Sequence, residues 1–328
     1  MYKRQNKKVA IVGSGPAGIA CADILTRSGI KSHVYDKNEE IGGLLTFGIP
    51  EFKLEKSVVR RRRKVLEEMG IDFHLGVEIG KDIPFQEIYD ANDAVFLAMG
   101  TYTSLEGGFS GEKLPGVYKA IDYLISNTRK LLNMDTGKSE HIDFKDKKVV
   151  VLGGGDTAMD CVRTAIRQQA KSVYCVYRRD KENMPGSVKE IKHAMEEGVE
   201  FLFNSQPLEI IGNGTVRQLK IGKTKLGKAD GSGRRKPVLI KNSEKILDVD
   251  KLVIAFGYEA DPQSFIAENN IKVSDRGLIS LDNENYKYQT SNPKFFAGGD
   301  MIIGSSLAVH AIAHGRDAAK EIIKFLET

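Results

Sequence analysis

The chain has 328 residues, a net charge of +5 and 41% apolar residues. That length and composition suit about two ordinary soluble domains with a sizeable core. The charge is too small for a nucleic-acid binder, and no apolar run approaches the ~20 residues that a membrane-spanning helix needs.

The N-terminal MYKRQNKKVAIVG is basic and then briefly apolar. The apolar run breaks at Gly13 without a cleavage site, so it predicts a strand and not a signal peptide. The cysteines are Cys21, Cys161 and Cys175, none near another in sequence. Such a sparse, odd set predicts a reducing cytoplasm, with all three as small buried hydrophobes. An iron–sulfur cluster would need four cysteines, and the chain does not have them.

Residues 7–29, KKVAIVGSGPAGIACADILTRSG, read as a strand, a Gly13-x-Gly15-x-x-Gly18 turn and an amphipathic helix. HVYDK (33–37) follows as a second strand ending in Asp36. In such a unit the first glycine makes the tight turn, the second admits a pyrophosphate, and the third lets helix pack on strand. The helix N-terminus favours phosphate, and a carboxylate at Asp36 suits free ribose hydroxyls. This site therefore predicts FAD or NAD. GGLLTFGIP (42–50) comes next, with three glycines, no charge and no sulfur. Arg60–Lys64 is a run of five cations. It reads as the wet face of a helix whose apolar side is Val58, Val59, Val65, Leu66 and Met69, or as a partner-docking patch.

The pattern returns at 147–170, KKVVVLGGGDTAMDCVRTAIRQQA, with Gly153-x-Gly155-x-x-Ala158 in the turn. The next strand, SVYCVYRRD (172–180), ends in Arg178 and Arg179 where the first unit has Asp36. A guanidinium pair there suits a 2′-phosphate, so this site predicts NADP. DAVFLAMGTY (93–102) and DKLVIAFGYE (250–259) echo each other at Asp93/Asp250, Ala98/Ala255 and Gly100/Gly257. Both read as buried parallel strands, beyond whose carboxyl ends ligands sit. Lys189, Glu190 and Lys192 fall on an amphipathic helix as solvated charge. The Lys-rich stretch 222–245 predicts a loop or hairpin.

NPKFFAGGDMIIGSSLAVHAIAHGRDAAKEI (292–322) completes the first domain with a strand, Gly298-Gly299-Asp300 and a long helix from about Ser305. Asp300 suits a ribityl hydroxyl, and the helix N-terminus suits a flavin pyrimidine ring. His310 and His314 have metal-ligand spacing, but HAIAH lacks the glutamate of HExxH and a third ligand, so they read as helix-face histidines. No residue is assigned to a metal.

GSGPAG, IGGLLTFGIPEFKLEK, AMGTY, LPGV, GGGDTAMDCVRTAIRQQA, YRRDKENMPGSVKEIKHAMEEGV and GGDMIIGSSLAVHAIAHGRDAA together resemble the small subunit of NADPH-dependent glutamate synthase. The module is also similar to parts of dihydropyrimidine dehydrogenase and of NADH-dependent ferredoxin:NADP oxidoreductase. The resemblance implies an α/β fold of two Rossmann-like three-layer domains, the NADP domain inserted into the FAD domain as in disulfide reductases. The expected bounds are 1–112 with 262–328 for FAD, and 113–261 for NADP(H).

It implies that FAD contacts Gly13, Gly15, Pro16, Ala17, Gly18, Asp36 and Lys37 in the first turn and strand. Gly43, Leu44, Gly48 and Ile49 of the apolar loop join them, with Leu44, Leu45 and Phe47 as a dry wall beside the isoalloxazine. Val77, Met99, Gly100, Thr101, Gly299, Asp300, Ser306 and Leu307 complete that set. NADPH is expected on Gly153, Gly155, Asp156, Thr157, Ala158, Arg178, Arg179 and Gly257. The implied reaction is hydride transfer from nicotinamide C4 to flavin N5, then single electrons to an acceptor. No catalytic acid or base is needed, because such transfer asks for positioning and electrostatics. The expected acceptor is an iron–sulfur protein or a larger catalytic subunit.

The chain departs from the family's pattern in two places. Family members usually begin with a cysteine-rich iron–sulfur domain, whereas eight residues precede Val9 here. That domain is expected to be absent, on another polypeptide, or removed. Asp36 stands where the family usually has Glu. Glutamate formation would need a partner, since Cys21 falls on the first helix and cannot be an N-terminal nucleophile. Two other readings stay open at this point: the same electron-input module serving ferredoxin or a pyrimidine reductase, and a non-catalytic NADP-binding subunit.

Overall fold

The computed structural model describes residues 6–134, 141–229, 231, 235–282 and 284–328. It resolves into two compact units. One comprises residues to Thr103 together with Tyr258–Thr328, and the other is Ser104–Gly257. The sequence reading drew these junctions at 112/113 and 261/262. Residues 104–112 belong with the second unit because Ile210 N–H donates to the Ser110 carbonyl and Leu105 N–H to that of Gly257.

In the first unit the elements begin β1 (Lys8–Val12), α1 (Pro16–Arg27), β2 (Lys31–Asp36), α2 (Leu44–Phe47) and α3 (Lys56–Glu68). They continue with β3 (Asp72–Leu75), α4 (Phe85–Ala91) and β4 (Ala94–Leu97). The sheet order is strand Phe295–Ala297, β4, β1, β2, β3. All neighbours are parallel, with Ile11 opposite Val34 and Phe96. Val9, Ala10, Ile11 and Val12 are all buried, the continuous apolar run of a strand covered on both faces. One face packs under α1 and the C-terminal helix Ala308–Glu327, the other under α4 and residues around Phe265.

The second unit repeats the plan in the order Val117–Lys119, Lys251–Ile254, Lys148–Leu152, Ser172–Val176, Glu200–Leu202, again all parallel. Helices Ala120–Leu131, Asp156–Arg167 and Val188–Glu196 cover one face. An antiparallel sheet covers the other, and its Ile210, Leu219 and Ile221 pack on Val150, Leu152 and Val176. The Lys-rich stretch is part of that sheet, Val216–Ala229 pairing with Arg235–Leu239 as a hairpin.

The internal echo is physical. Asp93 accepts the Lys8 N–H at 2.8 Å, and Asp250 accepts the Lys148 N–H at 2.8 Å. Each carboxylate ties the entry of its unit's central strand to the neighbouring strand.

One charge assignment and part of one apolar face are corrected, while the cations 60–64 lie on the wet face of α3 as expected. Glu190 is not solvated: it takes the Arg163 guanidinium at 2.6 Å, and Arg163 also holds Glu197 at 2.8 Å. On α3 the apolar side is Val59 and Leu66, both buried, whereas Val58 and Val65 are exposed. The cation run is also largely paired within the chain: Arg60 and Arg63 with Glu40, Arg62 with Asp23, Lys64 with Glu68. Among the described residues no helix is long and apolar enough to cross a membrane.

Candidate functional site

In the first unit the chain ends of four parallel strands open into one cavity of about 530 Å³. Val12, Asp36, Ala98 and Gly298 mark those ends. Gly13, with φ +107°, is where the chain leaves β1. A Cβ there would stand 2.4 Å from the Ala98 carbonyl oxygen, so only glycine fits. Gly15 caps α1 without a side chain, Pro16 sits in the first turn, and a Cβ at Gly15 would meet nothing within 4 Å. The first-turn N–H groups therefore face an open, anion-favouring space.

Asp36 carries four donors. Its Oδ2 accepts from Ser14 N–H (2.8 Å) and Oγ–H (2.6 Å), and its Oδ1 from Asn38 N–H (2.8 Å) and Nδ2–H (3.0 Å). Those fill roughly the four acceptor positions of a carboxylate. The Ser14 hydroxyl, on a fully buried residue, makes the shortest of the four bonds.

The apolar loop forms the next wall. Its Leu44–Phe47 make one helical turn, α2, following Gly43 at φ +52°. A Cβ on Gly43 would lie 3.0 Å from the Gly15 Cα, so this loop abuts the glycine turn. Lys56, only 2% exposed, holds the loop from beneath: its ammonium donates to the Leu45 carbonyl at 2.9 Å and to that of Ile49 at 2.5 Å. Glu40, 5% exposed, accepts the Ile41 N–H and takes Arg63. Leu44, Leu45 and Ile49 line the cavity, while Phe47 is buried behind them.

The far wall comes from residues 299–311. Asp300 lines the cavity, and burial raises its pKa from the ordinary 3.8 to about 6 against the opposing pull of the Ser306 N–H. The long helix begins at Ala308, later than Ser305, because Gly304 at φ +86° closes the short helix Asp300–Ile303. Ser306 Oγ and His310 Nδ1 are 2.8 Å apart. Tyr102 also lines the cavity, its hydroxyl pKa raised by burial and by Asp36 and Asp300, with the Lys37 ammonium over its ring.

Of the residues assigned to a flavin, most line this cavity, including Ala17, Lys37, Val77, Met99, Gly100, Thr101 and Gly299. Gly18, Gly48 and Leu307 are not in its lining. Gly18 faces the Gly13 carbonyl, which a Cβ would approach to 1.9 Å; Gly48 packs on Leu44; Leu307 is 62% exposed. No cysteine lines the cavity. Cys21, Cys161 and Cys175 are all buried, and burial raises each thiol pKa, that of Cys175 to about 12.

In the second unit Gly153 repeats Gly13: φ is +141°, and a Cβ would stand 2.3 Å from the Ala255 carbonyl oxygen. Gly155 caps the helix Asp156–Arg167, again with open space before it. Asp156 Oδ1 accepts the Ser187 N–H at 2.8 Å, and Gly186 N–H donates to the Gly154 carbonyl, so the MPGS loop folds over this turn. Thr157 follows on the first turn of that helix, Ala158 is buried within it, and Gly257 follows the strand Lys251–Ile254. Arg178 is exposed. Arg179 is buried, its guanidinium 5.7 Å from the Tyr177 ring, and its Nε has no hydrogen-bond partner among the described residues.

Lys56, Ser14, Asn38, Tyr102, Gly186 and Ser187 had no role in the sequence reading. The signal for Lys56, Gly186 and Ser187 was their place inside the IGGLLTFGIPEFKLEK and MPGS stretches.

Residues 7–315 match the sequence profile described as pyridine nucleotide-disulphide oxidoreductase. The glutamate synthase [NADPH] small chain of Halomonas elongata is 54% identical over 98% of this chain and 68% of its own length. That of Escherichia coli K12 is 50% identical over 99% and 70%. Mycobacterium tuberculosis FprA, solved in complex with NADPH, superposes with a TM-score of 0.80 at 18% identity, over 98% of this chain and 85% of that one. It shows the shared fold. The chain belongs to the pyridine nucleotide-disulphide oxidoreductase family, on the branch of the NADPH glutamate synthase small chains.

Proposed function

We propose that the chain is an NADPH-dependent flavin oxidoreductase that feeds electrons to a larger glutamate synthase subunit. The observation that carries this reading is the lining of the first cavity: a bare helix N-terminus, the carboxylate of Asp36, an apolar loop and Asp300, at the carboxyl ends of four parallel strands. These groups fit FAD in the order of its parts. The Gly13–Gly18 turn takes the pyrophosphate, and Asp36 takes adenosine ribose hydroxyls. Leu44, Leu45 and Ile49 exclude water beside the isoalloxazine, and Asp300 takes a ribityl hydroxyl. When bound, FAD supplies a two-electron acceptor that releases electrons one at a time.

The Gly153–Ala158 turn and the open cap at Gly155 take the NADPH pyrophosphate. Arg178 and the unpartnered Nε of Arg179 take the 2′-phosphate. Dithiol chemistry has no residue to use, since the cavity lining holds no cysteine. The acceptor is an iron–sulfur centre of the assembled enzyme, and the buried thiols suit a reducing cytoplasm.

The test is NADPH oxidation by the FAD-reconstituted chain with ferricyanide as artificial acceptor. FAD-dependent turnover is expected. Saturable FAD binding without any NADPH oxidation would overturn the reading. Adding a purified glutamate synthase large chain should then couple that oxidation to glutamate formation; coupling to ferredoxin alone would assign the module to another acceptor.

A further inference from the structure

Outside the lining of the flavin cavity, we propose that the first unit carries a Zn²⁺-binding site formed by His33, Asp72 and His74. β2 and β3 are parallel neighbours, with His33 opposite Asp72 and Tyr35 opposite His74. The two-residue period of a strand puts all four side chains on one face of the sheet. Asp72 Oδ2 lies 3.2 Å from His33 Nδ1 and 3.3 Å from His74 Nε2, and all three donor atoms fall within 4.8 Å of one another.

A tetrahedral shell with bonds of about 2.0–2.1 Å sets its donors roughly 3.3–3.4 Å apart. Two of the three edges have about that length, and the third, between the two imidazole nitrogens, is no more than 4.8 Å. The His74 Nε2 is shielded from solvent and has no hydrogen-bond partner among the described residues, although the carboxylate is beside it. That is an orphaned donor atom at the point where a cation would sit. The His74 ring is held by stacking on Tyr35, with centroids 4.5 Å apart and planes 10° from parallel.

Two imidazoles with one carboxylate favour Zn²⁺ and its transition-metal neighbours over Mg²⁺ or Ca²⁺, which prefer all-oxygen shells. Asp72 is 48% exposed, so the open position can take water. Lys31, two residues before His33, opposes a cation and keeps the site from being very tight. Bound zinc would clip the edge strand β3 to β2.

The experiment is calorimetric titration of the chelator-treated full chain with Zn²⁺, alongside Co²⁺ followed by visible absorption. One saturable equivalent is expected, with ligand-field bands from Co²⁺ and no thiolate charge-transfer band. H33Q and H74Q should each weaken binding at least about tenfold, since even outer-sphere losses cost ~10–100-fold. Zn²⁺ should also raise the Tm of the wild type and leave that of H33Q/H74Q unchanged. Equal binding by wild type and double variant would overturn the site. Should a variant fail to fold, the wild-type Co²⁺ spectrum decides: a spectrum without imidazole-type ligand-field bands leaves a His–Asp–His ion-pair cluster and no metal site.

Discussion

The Lys56 ammonium lies 2.5 Å from the carbonyl oxygen of Ile49, and only 2% of the residue is exposed. It ties the start of α3 to the loop that walls the cavity. Replacing it with Met keeps the bulk but strands two carbonyls. Each buried unpaired group costs about 1–3 kcal/mol. K56M should therefore lose roughly 2–6 kcal/mol in denaturant unfolding, and its FAD affinity should fall. Unchanged FAD affinity would separate the loop from the flavin.

Gly13 and Gly153 do the same job in separate units, so their variants should fail separately. G13A forces a Cβ to 2.4 Å from the Ala98 oxygen at φ +107°. It should abolish FAD retention, read by flavin absorbance after gel filtration. G153A meets Ala255 at 2.3 Å and should keep FAD while weakening NADPH binding by flavin-monitored titration.

Arg178 and Arg179 should set the choice between NADPH and NADH. Charge-assisted hydrogen bonds are worth about 1.5–3 kcal/mol, so R178Q and R179Q should each raise the KM for NADPH roughly tenfold or more. The KM for NADH should barely move. Steady-state kinetics with both nucleotides checks this, and parallel losses would mean the pair acts on something other than the 2′-phosphate.

Asp300 gives a pH signature in the cofactor-free protein. Its folded pKa, about 6, lies above the ordinary 3.8, so the fold prefers the protonated acid. The stabilising contribution is present in full below about 3.8 and is lost as pH rises through about 6. D300N should flatten that part of the Tm–pH curve and be relatively more stable at pH 7. An unchanged curve would deny the buried acid its role.

The cavity's glycine turn, Asp36 and apolar loop were legible because glycine spacing and a strand-end acid report backbone geometry directly. Lys56 was not, because a lysine's burial depends on carbonyls that only the folded loop brings to it. Glu190 was misread for the same kind of reason: its partner Arg163 lies on a different helix. The antiparallel layer under Val150 and Leu152 was also hidden, since hairpin residues such as Leu219 and Ile221 show their apolar side only once docked. The unit junction at Thr103 rests on the long-range bond from Ile210 to Ser110, which no local pattern announces.

The central claim, electron entry from NADPH, is tested most directly by an anaerobic visible-spectrum titration of the FAD-reconstituted chain with NADPH and, in parallel, NADH. The account expects stoichiometric NADPH to bleach the flavin band, with NADH far weaker. A protein that binds FAD yet shows no bleaching with either nucleotide would contradict it.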